Sequence, residues 1–239
     1  MNFLTKISRR GFDLNDKKWF SDTELLRLKK AHEEIKWLLD RNYKIESIIN
    51  FVGGRYKFST KQRDALKRGT CSTKNEIFRK LKEIDVNNLI SKTLNIDGFN
   101  LIISLEVALS GGTLIVGDDG LIRDLAGLRG TYKLIDKTDT AIYYIFKFLD
   151  LNKVKAINIY LDSPVSNSGN LKVRILEHSN QYKVKTNVEL VNNADIVLEK
   201  LDYVVTSDAT ILDKCKSYVN LSKSIISKNI HEANLIFLT

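Results

Sequence analysis

The chain has 239 residues, 43% of them hydrophobic, with 38 Lys and Arg against 29 Asp and Glu. That is enough apolar material for one or two packed domains of about 100–150 residues each, and it excludes a disordered chain, a collagen and a disulfide scaffold. No run approaches the ~18 apolar residues of a membrane span, and Lys6, Arg9, Arg10, Asp16, Lys17 and Lys18 interrupt any signal-peptide core, so a cytoplasmic protein with no membrane partner is expected.

Residues 1–92 carry 22 Lys and Arg against 12 Asp and Glu, whereas residues 93–239 carry 16 against 17. The basic surplus therefore sits in the front third. Either it is a solubilising surface, or it is a polyanion-binding module attached to a near-neutral domain, since phosphate binding is driven by charge neutralisation and counterion release.

The front third, 1–92, reads as a small all-helical domain. From Ser21, with Glu24 three residues on as a capping box, apolar residues at Leu25, Leu26, Leu28, Ala31, Ile35, Leu38 and Leu39 recur close to the helical period and predict a helix ending near Arg41 and Asn42. A second helix is expected over 44–52, stopped by Gly53 and Gly54, and a third from Ser59 or Thr60 to Arg68, which together give a helix-turn-helix-like hairpin. Arg55, Lys57, Lys61, Arg63, Lys67 and Arg68 cluster here with Tyr56 and Phe58 interleaved. Such a cluster can hold phosphates and stack bases; alternatively the two aromatics pack beneath the helices and the cations face water. A final helix or linker covers 75–82.

After residue 93 the pattern changes to short strands alternating with helices. Strands are expected at 93–96, 113–116, 156–161, 183–190, 203–206 and 218–221, and helices at 101–109, 138–149, 169–180, 193–201 and 209–216; 222–228 and 234–238 finish the chain. Repeated βα units imply an α/β fold with a largely parallel, three-layer sheet over 93–239. The stretch 111–137, with Asp118, Asp119 and Asp124 beside Arg123, reads as an insertion that forms either an ordinary turn or a lid.

Ligands of open parallel sheets bind outside the strand C-termini, so the residues that close the strands matter most. Asp97 closes the first, Asp162 follows Ile157 to Leu161, Asp195 opens a helix, and Asp208 follows Val204 to Ser207. Singly, each is an ordinary helix cap or loop residue. Together, with Asn100, Ser163, Thr206 and Ser207, they make an oxygen-only set suited to Mg²⁺ or Mn²⁺. Cys71 and Cys215 lie far apart without CxxC spacing, and His32, His178 and His231 complete no zinc or Cys/His pattern. GxxxxGK[ST] and GxGxxG are absent, which leaves a nucleotide-binding reading without support.

The succession Ile96-Asp97-Gly98-Phe99-Asn100, Ile159-Tyr160-Leu161-Asp162, Asn193-Ala194-Asp195-Ile196 and Val204-Val205-Thr206-Ser207-Asp208 resembles the NYN branch of the PIN-like nucleases across about residues 93–222. The resemblance implies a Rossmann-like parallel sheet and a metal-dependent ribonuclease, with Asp97, Asp162, Asp195 and Asp208 as catalytic metal ligands for Mg²⁺ or Mn²⁺. It departs at Ile196, where the family often has a second Asp. The whole chain also resembles an uncharacterised prokaryotic family with an N-terminal domain of unknown function. The expected function is an endoribonuclease or related phosphodiesterase whose basic front domain holds RNA, whether tRNA, rRNA or ribosome-bound mRNA; the alternative is a catalytically degenerate RNA- or ribosome-associated binding protein.

Overall fold

A computed structural model describes residues 8–127 and 130–239. Lys6 of the N-terminal basic stretch and residues 128–129 of the 111–137 segment lie outside the described residues. The front part holds α1 (Asp16–Trp19), α2 (Asp22–Leu39), α3 (Ile45–Arg55), α4 (Thr60–Gly69) and α5 (Thr73–Lys80). The rest holds β1 (Thr93–Asp97), α6 (Gly98–Leu109), β2 (Thr113–Val116), β3 (Ile122–Asp124), α7 (Thr138–Leu151), β4 (Ala156–Asp162) and α8 (Ser168–Ser179). These lead to β5 (Lys185–Val191), α9 (Ala194–Leu198), β6 (Val204–Val205), α10 (Ala209–Lys214), α11 (Leu221–Asn229) and β7 (Asn234–Phe237).

The fold is α/β, with a Rossmann-like parallel sheet in the order β5-β4-β1-β6. Period-two alternation splits its side chains between two faces. Leu94, Ile96, Ile157, Ile159, Leu161 and Val205 enter the larger core with α6, α7, α8 and α11, while Tyr160 and Val204 meet α9 and α10 on the other side. The expected three layers follow from that division. Gly98 is required where α6 leaves β1: a Cβ there would lie 2.5 Å from a Leu161 methyl and 2.7 Å from one of Ile159. The short backbone lets the helix start directly against β4.

Three local expectations need correction. The helix of Ile45 does not stop at Gly53 and Gly54 but runs to Arg55. Arg63 lies across Gly53 and donates to the carbonyls of Gly53 and Phe58, so packing and capping outweigh the roughly 1 kcal/mol helix penalty of a glycine. The capping box at Ser21 does not form, because Glu24 turns instead to Arg27 and Gln62; a complete box is found at Ser59 and Gln62. Residues 218–221 do not form a last parallel strand: Tyr218 makes single bridges to Glu83 and Val204, and Leu221 already begins α11.

β2 does not join the main sheet. It pairs antiparallel with β3 and parallel with β7 in a second, three-stranded sheet. Ile115 of β2, with Ile236 and Leu238 at the C-terminal end, packs into one core with Leu28, Ile35, Ile49, Val52 and Leu66 of α2, α3 and α4. The 111–137 segment and the chain's end thus form the seat of the helical front part, across the expected boundary at 92 and 93.

Candidate functional site

Along the main sheet, β4 and β5 extend to one side of β1 and β6 returns to the other, so the topological switch falls between β1 and β6. Open α/β sheets bind ligands at that crevice. The Asp97 carboxylate lies there, 8% exposed, accepting from the Thr206 hydroxyl at 2.9 Å and the Asn100 backbone N–H at 3.2 Å. Asn100 Oδ1 accepts from both the N–H and the hydroxyl of Ser207, at 2.9 and 3.0 Å. This orients the amide so that its Nδ2, without a protein partner among the described residues, is presented as a donor.

The other three aspartates surround this pair of loops. Asp162 accepts from the Ala194 N–H at 2.8 Å at the start of α9, and Asp208 caps α10 through Thr210 at 2.7 Å and Ile211 at 3.3 Å. Asp195 is exposed in the first turn of α9. Burial pushes the Asp97 carboxyl up to about 7, and the charges of Asp195 and Asp208 add to it against the hydrogen bonds of Thr206 and Asn100. Desolvation raises Asp195 too, and Asp208 and Asp162 push in the same direction. Asp97 and Asp195 therefore both feel neighbouring carboxylates, and none of the four makes an ion pair with Lys or Arg among the described residues.

The expected four-ligand cluster is nevertheless not preassembled: among the described residues, no three His, Cys, Asp or Glu side chains form a group that could hold a metal ion. The reason is local. Asp162 and Asp208 spend oxygens on helix N-termini, and Asp97 is turned toward Thr206 and Asn100. Ser163 stands apart, exposed and 3.4 Å from Asn192.

The six basic candidates divide. Lys61 is internal, paired with Asp16 at 2.6 Å, and Arg63 caps α3 as described. Arg55 pairs with Glu34 at 3.0 Å, and Lys57 is exposed in a left-handed turn conformation. Lys67, which pairs with Glu46 at 3.3 Å, and Arg68, which donates to the Asp124 carbonyl at 2.8 Å, line a cleft of about 400 Å³ together with Thr70, Asn100, Ser207 and Asp208, so α4 forms one wall and the start of α10 the other. Asp208 reaches this cleft, whereas Asp97, Asp162 and Asp195 lie outside its lining. Phe58 is 4% exposed and stacked on Tyr56, so it packs beneath the helices and offers no face to a base.

Sequence reasoning missed the floor of this cleft. Asp119 lies in the ordinary turn between β2 and β3, closed by the Gly120 N–H on the Gly117 carbonyl at 2.8 Å, yet it is only 2% exposed. It binds Arg123 of β3 through two hydrogen bonds, at 2.8 and 2.7 Å, and Arg79 of α5 at 2.6 Å. Burial opposes its ionisation, but the two arginines outweigh burial and hold the carboxyl down at about 2. Arg79 also binds Asp213 of α10 at 2.7 Å, and Arg123 Nε donates to the Ser207 carbonyl at 2.8 Å. The sequence carried little signal for this network: Arg123 and Asp124 make two of the three residues of β3 charged, which reads equally well as a solvated turn. Cys71, also in the cleft, is a buried free thiol pushed up to about 12 by burial and by Asp119, and Cys215 is a small buried hydrophobe against α10.

The arrangement defines a Rossmann-like α/β protein with carboxylates along the C-terminal edge of its parallel sheet and, beside Asp208, a cleft whose other wall is α4 of the helical module. The chain belongs to the family described as Domain of unknown function (DUF5616), whose model matches residues 86–224. A second model, Protein of unknown function (DUF434), matches residues 27–82. The chain is 36% identical over 187 residues to Uncharacterized protein MJ0935 of Methanocaldococcus jannaschii, which covers 78% of this chain and 89% of that protein. No solved structure matches.

Proposed function

We propose that the chain is a metal-dependent endoribonuclease, or a closely related phosphodiesterase, that cuts RNA in the cleft between α4 and α10. The observation that carries this reading is Asp97, a carboxylate buried at the switch point, within electrostatic reach of Asp195 and Asp208 and paired with no cation among the described residues. Uncompensated acids gathered in this way are unfavourable unless a cation joins them. The donors fit Mg²⁺ or Mn²⁺, which take one or two protein carboxylates and complete their shell with water and substrate phosphate, so a preassembled three-ligand cage is not required. One or two of the four carboxylates of Asp97, Asp162, Asp195 and Asp208 would hold the ion; once bound, it would activate water and neutralise charge on the phosphodiester. Asn100 directs its Nδ2 at a phosphate oxygen or water, and Lys67 and Arg68 offset the charge of the RNA backbone. The resemblance to NYN-type PIN nucleases supports the same reading. An RNA substrate agrees with a cytoplasmic location, and no helix of the described residues is long and apolar enough to cross a membrane.

The test is RNA cleavage with Mn²⁺ by the wild type and by Asp97→Asn and Asp208→Asn. Losses of at least about 100-fold are expected, the upper end of what disturbing a metal site's support costs; undiminished cleavage by both variants removes the assignment. A degenerate, RNA- or ribosome-binding role is favoured by Ile196 and by the carboxylates already spent on helix caps. Steeply salt-dependent RNA binding with no turnover in any divalent metal would select it.

A further inference from the structure

The peptide unit joining Ser207 to Asp208 is held from both sides. Its carbonyl oxygen accepts from Arg123 Nε at 2.8 Å, and its N–H donates to Thr206 Oγ1 at 3.1 Å, the hydroxyl that in turn donates to Asp97. Fixing that plane fixes the direction in which the Asp208 side chain leaves the backbone. Arg123 is itself immobilised: Asp119 takes the other edge of its guanidinium, and Arg79 and Asp213 tie Asp119 to α5 and α10. Gly117 completes the fit, since a Cβ there would stand 2.5 Å from an Arg123 nitrogen and 2.9 Å from Asp119 Oδ1. Arg79 lies within residues 27–82 and the other three within 86–224, so the relay crosses the two matched regions.

We infer that Arg123 is a positioning residue for Asp208, anchored through Asp119 to Arg79 of the helical front part. The front part is then a structural component of the acidic site as well as a nucleic-acid wall. This inference rests on the proposed metal-dependent activity for its catalytic consequence, but its geometric content can be read without it. Arginine supplies a forked donor set that lysine cannot reproduce, so Arg123→Lys keeps a charge for Asp119 while losing the bond to the Ser207 carbonyl.

The experiment compares wild type and Arg123→Lys, full length and metal-free, by amide hydrogen exchange, followed by Mn²⁺ titration and RNA cleavage at saturating Mn²⁺. In the wild type the Asp208 amide is expected to exchange as slowly as those of Ile96 and Val205; exchange as fast as an exposed loop overturns the inference even if the variant does not fold. In Arg123→Lys, faster exchange confined to residues 206–211, a Mn²⁺ affinity about tenfold weaker, and a lower kcat at nearly constant KM are expected. Unchanged exchange and affinity in a folded variant, or exchange that rises equally through β4 and β5, overturns it. If the wild type binds no Mn²⁺ and cuts no RNA while the local exchange effect persists, the nuclease reading fails and the positioning of Asp208 stands.

Discussion

Two buried aspartates in this molecule stand in opposite circumstances. Asp97 and Asp119 are 8% and 2% exposed, yet one titrates at about 7 and the other at about 2. Burial raises both. The difference lies in the neighbours: Asp119 is gripped by Arg79 and Arg123, whereas Asp97 has hydroxyl and amide donors and the charges of other acids. A compensated carboxylate holds structure together; an uncompensated one at the switch point of a parallel sheet is a place where a cation is missing from the protein's own side chains.

The largest test of this contrast is Asp119→Ala. It leaves two guanidinium groups buried without their shared partner, which should cost about 3–5 kcal/mol and lower Tm by roughly 6–20 °C for a chain of this size. A drop under about 2 °C would show the relay to be dispensable. The wild type should show the same network in its acid limb. The Asp119 carboxyl titrates below its ordinary value when folded, so its contribution is complete above about pH 4 and is lost as the pH falls through about 2. That contribution is on the order of 2 kcal/mol and should be missing from the acid limb of Asp119→Ala.

Asp97→Asn should act in the other direction. Its folded value lies above the ordinary carboxylate range, so the folded state retains a proton that the unfolded chain releases, and metal-free stability falls as the pH rises from about 4 to about 7. At pH 8 the substitution removes a buried charge and should raise the metal-free Tm by about 2–8 °C, with no gain at pH 4. Scanning calorimetry at the two pH values reads the effect, and a lower Tm at pH 8 would mean that Asp97 is compensated after all.

The same contrast explains what could be read in the sequence. Asp97, Asp162 and Asp208 stood out because they follow short runs that read as strands of a largely parallel sheet, and the sheet puts all three at one edge. The relay of Arg79, Asp119 and Arg123 to the Ser207 carbonyl was not legible, because Arg79 lies 40 positions from Asp119 and Ser207 lies 84 from Arg123, with no local period to join them. The second sheet was hidden for a related reason: β2 finds its parallel partner β7 about half a chain away, where no βα repeat announces it. The cleft's wall was partly visible as a basic cluster, but only the fold could show that Lys61 and Arg63 are consumed internally while Lys67 and Arg68 line the cleft that Asp208 enters.

The smallest effect sharpens that lesson at two helix starts with nearly the same signature, Ser21 with Glu24 and Ser59 with Gln62. At Ser59 the hydroxyl accepts from the Gln62 N–H at 3.3 Å and Gln62 Oε1 accepts from the Ser59 N–H at 3.0 Å, which satisfies two donors of the first turn. At Ser21 no side-chain cap forms, since Glu24 is drawn away by Arg27 at 2.6 Å and by the amide nitrogen of that same Gln62 at 2.8 Å. Ser59→Ala should therefore cost about 1 kcal/mol, and Ser21→Ala only a few tenths. Denaturant unfolding measures the pair side by side, and equal losses would show that the competition for Glu24 does not decide which helix is capped.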